Sequence, residues 1–527
     1  MSANAEFGWW EQAKFGLMLH WGVSSVLGGQ WNGESVPGLG EWIRWHAQIP
    51  ADEYSRIAAE FHPSAFDADA WASTAKAAGA GYLVFTAKHH DGFALFDSNA
   101  DPFNSVHHSR WGVDAVREVA EACRRHEVRL GLYYSHAIDW HEPNAAQHWA
   151  DPNADRRNFE EYFQRKSLPQ IRELLTNYGQ VAVLWLDMPF LIQPEQCEEI
   201  LACVRSLQPD CLVSSRLGWT SPYDFRSLGD NELPASTLSE RWETAATLND
   251  TWGFRTDDHD WKSPADVLRI LLYAVQRGGN LLMNVGPDGE GRIPEPAVKT
   301  LLSVGEWLSR NGEYVYGAEP SPFSYDLPSG PITRKADRLW FFRDTGTQLP
   351  LVNGMPDSVQ WEHREDTPFA ISVAELPPGA WVDLRPQPQG TGEILLPATL
   401  AETSGSVQVS VSGYGSGGPG ELEWEFQSPG GTYQVWAETV WPDHRENGGR
   451  WQGGGTVQIA GLPPVVWQAD EFAETPTSRY YDVALTRLGE IAVHSAPSRI
   501  KLIVSDPLRA QLKCLRLVPN YNVEHTR

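Results

Sequence analysis

Val181-Ala-Val-Leu-Trp-Leu-Asp187 runs six apolar residues into one carboxylate, and Met188-Pro189 then break the pattern. A strand apolar on both faces belongs in a parallel sheet covered by helices, and in a barrel of such strands the C-terminal ends carry the chemistry. Asp187 therefore stands where a barrel enzyme keeps a catalytic acid. Taken alone, it reads equally well as the cap of the next turn.

The flanking sequence repeats the theme. Strand-like segments at 15–20, 82–87, 129–135, 211–216 and 280–285 alternate with amphipathic stretches at 64–79, 113–126, 157–178, 194–207, 263–277 and 295–311. This alternation predicts an α/β fold, a (β/α)8-type (TIM-like) barrel over residues 1–317. An open doubly wound sheet is the competitor, but the G-x-G-x-x-G turn expected after its first strand is missing. Beyond residue 317 the texture changes to short alternating segments such as Leu339-Trp-Phe-Phe342, Val407-Gln-Val-Ser-Val411 and Ile500-Lys-Leu-Ile-Val504, separated by Gly- and Pro-rich turns. That pattern predicts two C-terminal antiparallel β-sandwich domains, 318–390 and 391–527, joined near Pro386–Thr391.

Bulk composition narrows the function. The 527 residues carry 42 Lys and Arg against 68 Asp and Glu, a formal charge of −26, which disfavours phosphate backbones and anionic membranes as partners. No apolar run is long enough to span a bilayer and no segment reads as a secretory leader, so the chain as given is expected in the cytoplasm, or outside the cell if a leader was removed. Cys123, Cys197, Cys203, Cys211 and Cys514 form no C-x-x-C pair and read as buried thiols. The 24 tryptophans favour a carbohydrate ligand, because indole faces stack on the C–H surfaces of sugar rings. The sequence sets no oligomeric state, and a homo-oligomer is compatible with it.

Each expected barrel strand ends in polar or aromatic groups: His20-Trp21-Gly22, Lys88-His89-His90-Asp91-Gly92, Tyr133-Tyr134-Ser135, Trp185 with Asp187, and Arg216. If the barrel forms, these side chains share one mouth. Two chemistries suit them. Metal-assisted hydrolysis would use His20, His89, His90 and Asp91 as ligands, but neighbours on a strand point to opposite faces, so His89 and His90 are not expected to grip one ion. Metal-free glycoside hydrolysis needs two carboxyl groups flanking the scissile bond. Asp187 is the first, and Glu232 in Gly229-Asp-Asn-Glu232 or Glu243 in Arg241-Trp-Glu-Thr244 is the second, both on polar segments after the fifth strand.

At this point the chain resembles the α-L-fucosidases of glycoside hydrolase family 29. The resemblance rests on Phe15-Gly-Leu-Met-Leu-His-Trp-Gly22, Glu41-Trp42, Ala87-Lys-His-His-Asp-Gly-Phe93, Tyr133-Tyr-Ser135 with Asp139-Trp140, Leu184-Trp-Leu-Asp187, Trp242-Glu-Thr244 with Trp252-Gly-Phe254, and Gly278-Gly-Asn-Leu-Leu-Met-Asn-Val-Gly-Pro287. It covers the barrel and says little about residues 318–527. What it implies is a retaining exo-glycosidase that removes terminal α-L-fucose without a cofactor, from fucosylated oligosaccharides or glycoconjugates. Asp187 would be the nucleophile and Glu232 the acid/base, with Glu243 the alternative. His20, Glu41, Trp42, His89, His90, Tyr134, Trp185, Arg216 and Trp252 would line the sugar subsite. A metal-dependent hydrolase on the same barrel and a non-catalytic fucose-binding protein are the alternatives. Met188-Pro189 stand where the family usually has Gly, and Ile43 where it usually has an aromatic residue, so a shifted leaving-group preference is expected. The 391–527 domain is a candidate carbohydrate-binding module through Trp424, Trp436, Trp441, Trp451 and Trp467, although large residues at such positions more often fill a sandwich core.

Overall fold

The computed structural model describes residues 7–148, 153–323, 330–344, 359–375, 394–409, 415–441, 454–459, 465–468, 482–493, 496–505 and 508–519. The chain divides into two compact units, Met1–Ser227 with Glu240–Leu271 and Gly279–Gly317, and Leu228–Ser239 with Leu272–Gly278 and Ala318–Arg527. Leu228–Ser239 and Leu272–Gly278, expected within the 1–317 domain, thus fall in the second unit, and the expected join at Pro386–Thr391 lies outside the described residues.

Eight parallel strands build the first unit: β1 (Phe15–Leu19), β2 (Tyr82–Lys88), β3 (Arg129–Ser135), β4 (Val183–Asp187), β5 (Leu212–Val213), β6 (Arg226–Ser227), β7 (Trp242–Thr247) and β8 (Asn280–Val285). Hydrogen-bonded neighbours run β5-β4-β3-β2-β1-β8-β7-β6, and a parallel bridge between Ser214 and Phe225 joins β5 to β6. Every strand therefore lies beside its neighbour in sequence and the ring closes, as a (β/α)8 barrel requires.

Two of these strands escaped the sequence pattern. β6 has only two residues, and Trp-Glu-Thr-Ala-Ala-Thr of β7 carries a carboxylate and small side chains where an apolar run was sought, yet all six residues of β7 are buried. The Arg241–Thr244 stretch is thus not a polar loop over the mouth but part of the barrel wall.

The interior is packed. Met18, Tyr82, Val84, Tyr133, Val183, Trp185, Ala245 and Leu282 fill it, and Trp10 from the short helix Gly8–Ala13 joins the cluster. Gly16 is needed in β1, because a Cβ there would sit 2.4 Å from the Tyr82 ring. Helices follow the rules of their ends: Asp114 caps Ala115–Arg125 by accepting from the Arg117 amide, and Arg124 and Arg125 occupy its last turn, where cations favour the helix dipole. Among the described residues no helix is long and apolar enough to cross a membrane.

In the second unit, strands Ile332–Lys335, Arg338–Asp344, Phe369–Glu375 and Gln360–Asp366 pair in that order as an antiparallel sheet over Phe323, Ile332, Leu339, Phe341 and Ala374. Among the described residues, nine further strands between Ile394 and Pro519 form one antiparallel network around a core that includes Leu422, Trp424, Phe426, Tyr433 and Leu502. Trp424 is part of that core, its indole N–H donating to the Pro397 carbonyl, so it offers no face to a sugar. Trp436 is half-buried, Trp441 and Trp467 lie on strands, and Trp451 falls outside the described residues. The five cysteines are buried thiols.

Candidate active site

Alternation along β4 turns Val183 and Trp185 into the barrel interior and brings Asp187, on the same face, to its C-terminal rim. Asp187 is 8% exposed. The Tyr133 hydroxyl donates to its Oδ2 at 2.8 Å, and Arg216 Nη1 donates to its Oδ1 at 3.1 Å. His90 Nε2 stands 3.8 Å from Oδ2. Arg216 reaches the carboxylate from a 3-10 turn, Ser215–Leu217, with its guanidinium 4.8 Å above the Trp185 ring centroid. Burial, and then the neighbouring Asp187 charge, raise the Tyr133 phenol well above its ordinary value, so it remains a donor.

The partner of Asp187 on β3 is thus Tyr133, where the sequence pointed to Tyr134. Adjacent strand residues face opposite sides, and the Tyr134 hydroxyl donates at 2.7 Å to Gln170, on the helix Leu168–Asn177 outside the barrel. Tyr134 does not line the mouth. The register of β3 on β4, Tyr133 beside Trp185 and Ser135 beside Asp187, decides the matter, and that register is not written in the sequence.

His89 and His90 also depart from expectation. β2 ends at Lys88, so strand alternation no longer separates the next two side chains, and the two rings lie 4.1 Å apart. His89 lies nearly parallel to Tyr133 and edge-on to His20. Burial, with His90, His20 and Lys88 nearby, pushes its pKa well below the ordinary histidine value, so at neutral pH it offers one donor and one acceptor nitrogen. Asn284 donates to the Trp252 carbonyl at 2.7 Å, which orients its amide so that Oδ1 accepts from His20 Nδ1 at 2.7 Å. Among the described residues, no three His, Cys, Asp or Glu side chains are grouped to hold a metal ion.

Glu41 and Trp42 reach the site from a 3-10 turn, Gly40–Trp42. Glu41 Oε2 accepts from the Gly253 amide at 2.7 Å, and the Trp42 ring meets His90 and Trp140 edge-on at 5.1 and 5.2 Å. Trp252 packs 5.4 Å from His20. His20, Glu41, Trp42, His89, His90, Arg216 and Trp252 are thereby linked, directly or through one another, to the surroundings of Asp187.

A buried charge network stands behind the histidine segment. Lys88 Nζ and Lys166 Nζ lie 3.2 and 2.9 Å from Asp139 Oδ2, and Lys166 also pairs with Asp101. A π-helical turn at Phe163–Ser167 delivers Lys166. Burial alone would raise the Asp139 carboxyl, yet the two ammonium groups hold it below the ordinary carboxylate range. Gly92, at φ +84, is where chain and network meet, for a Cβ there would lie 2.1 Å from Asp139 Oδ1. The Trp140 amide donates to the His90 carbonyl at 2.7 Å, and Arg44 donates to the carbonyls of Asp91 and Trp140 at 2.8 Å each, so the backbone that carries His89 and His90 is fixed on several sides.

The two candidate glutamates have different surroundings. Glu243 is 0% exposed, paired in register with Asn280 at the start of β8, and therefore well below the rim. Its Oε1 accepts from Trp185 Nε1 at 3.1 Å and its Oε2 accepts from the Tyr82 hydroxyl. Burial raises its pKa to about 7, against the pull of these hydrogen bonds and of Arg216. Trp185 is likewise an interior group that binds Glu243 below and stacks on Tyr133, 5.6 Å away. Glu232 is half-buried in the segment Leu228–Ser239, and its carboxylate accepts from the Gly229 amide at 2.7 Å.

The raised Glu243 value has a measurable consequence. The folded state binds this proton up to about pH 7 and the unfolded chain only to about 4.5, so the stabilising effect of the neutral form is complete below 4.5, declines across that window and is gone above 7. The stability of Glu243→Gln relative to wild type should therefore rise by about 3 kcal/mol between pH 4.5 and 7 and then level off. Urea unfolding of both proteins across this range tests it; parallel curves would mean that the carboxyl is ionised throughout.

The family described as Alpha-L-fucosidase matches residues 2–313. Human tissue α-L-fucosidase is 27% identical over 418 residues, covering 71% of this chain and 86% of that protein. The crystal structure of the α-L-fucosidase from Vibrio sp. strain EJY3 superposes with a TM-score of 0.81 at 26% identity over 98% of both chains. AlfC from Lactobacillus casei, solved with its α-L-fucose product, is 40% identical over 59% of this chain and all of its own, with a TM-score of 0.55.

Proposed function

Because the chain belongs to the α-L-fucosidase family and hydrolyses α-L-fucosides, we propose that it is a retaining exo-enzyme with Asp187 as nucleophile and Glu232 as acid/base. The observation that carries the reading is the carboxylate of Asp187 at the rim of the closed barrel, fixed through both oxygens by Tyr133 and Arg216. An oxygen held so firmly is aimed before substrate arrives, which removes much of the entropic part of the barrier. Attack on the anomeric carbon displaces the aglycone oxygen, which takes a proton from Glu232, and leaves a β-linked fucosyl ester on Asp187. Water, deprotonated by Glu232, then releases α-L-fucose and restores both groups.

The His20 ring and the neutral imidazole of His89 suit sugar hydroxyls, which both donate and accept, and Trp42 and Trp252 supply apolar wall for the C6 methyl group. Glu232 is favoured over Glu243 because the latter is sealed in the barrel with both oxygens engaged, and a proton donor must reach the glycosidic oxygen. The substrates are proposed to be terminal α-L-fucosyl residues on oligosaccharides or glycoconjugates.

Proton NMR during the first minutes of hydrolysis tests the route. The α-anomer of fucose should appear first, before mutarotation; initial β-fucose would show a single inverting displacement by water.

A further inference from the structure

We propose that Trp219, with Phe190 beneath it, is the platform on which the first sugar ring of the leaving group stacks, so that the enzyme is built for fucosyl saccharides rather than for fucosides of small alkyl alcohols. This rests on the hydrolytic reading above and deepens it on the aglycone side. Trp219 is 76% exposed, whereas the other exposed large hydrophobic side chains among the described residues, Val26, Leu207, Leu302 and Leu400, are aliphatic. A single exposed apolar side chain needs no explanation in itself, so what matters is where this indole lies.

Its position says what covers it. Trp219 follows Arg216 by three residues, and Phe190 follows Asp187 by three, so both rings leave the barrel beside the two groups that meet at the nucleophile. The rings contact each other edge to face at 5.8 Å. Phe190 and Met188 in turn pack on the Trp42–Trp140 cluster, and Trp42 lies against His90. An apolar strip thus runs from the wall of the fucose pocket past the nucleophile to an open indole face. An indole face and a pyranose C–H face are complementary. The support is firm: His136 Nε2 bonds the Leu217 carbonyl at 2.9 Å, and a side chain at Gly218 would meet Cys197 Sγ at 2.6 Å.

The test separates leaving groups. α-L-Fucosyl fluoride has no aglycone ring, whereas a fucosyl-N-acetylglucosamine disaccharide has one. In Trp219→Ala the ratio of kcat/KM on the disaccharide to that on the fluoride should fall at least about ten-fold, as expected for loss of an aromatic anchor, and Trp219→Phe should recover most of it. A ratio that stays within about two-fold of wild type would overturn the proposal, whatever happens to the absolute rates. Wild-type protein inert towards the fluoride would overturn the hydrolytic reading itself and this proposal with it.

Discussion

Asp187→Gly should lower the rate of α-L-fucoside cleavage by about four to six orders of magnitude, and azide should restore turnover by forming a fucosyl azide. The loss is this large because the variant forfeits the covalent step, and Tyr133 and Arg216 are left facing an empty space. Azide fits that space and attacks from the face Asp187 used, so the product has the β configuration. NMR of the isolated azide reads this directly. An α-azide, or a variant that keeps substantial activity without azide, would place the nucleophile on another residue.

The second large effect concerns the proton donor. Glu232→Ala should slow cleavage of fucosyl disaccharides, whose alkoxide leaves poorly without protonation, by about 10²–10⁴-fold. Fucosyl fluoride should be affected far less in the bond-breaking step, since fluoride needs little proton assistance. Azide should now trap the covalent intermediate as the α-azide, because Asp187 is intact. The segment Leu228–Ser239 contains a second carboxylate, Asp230, which provides the internal comparison. If Asp230→Ala shows the leaving-group dependence and Glu232→Ala does not, the role moves by two residues; if neither does, the acid lies outside this segment.

How much of this was legible in the sequence depends on what each residue packs against. β1 to β4 and β8 announce themselves because both faces are buried and most of their side chains are apolar. β7 is equally buried but hides, because its glutamate is reconciled to the interior by Tyr82 and Trp185, partners distant in sequence. Asp187, His20 and His90 could be placed at or just beyond strand ends from local pattern alone, whereas Arg216, expected to close a strand over 211–216, lies on the 3-10 turn after a strand that stops at Val213. Tyr133 could not be told from Tyr134, since the choice is set by the register against β4. Lys166 was equally invisible, because a π-turn rather than a regular helix directs it to Asp139.

The barrel wall is uneven. The strands that carry Lys88 and Tyr133 are seven residues long and backed by buried lysine–aspartate pairs, whereas the ring is completed by two-residue strands and the bridge of Ser214 with Phe225. Arg216 and Trp219 belong to this thin sector. Insertions or exchanges in this sector should therefore be tolerated without disturbing the long strands and the buried lysine–aspartate pairs that hold the histidine segment.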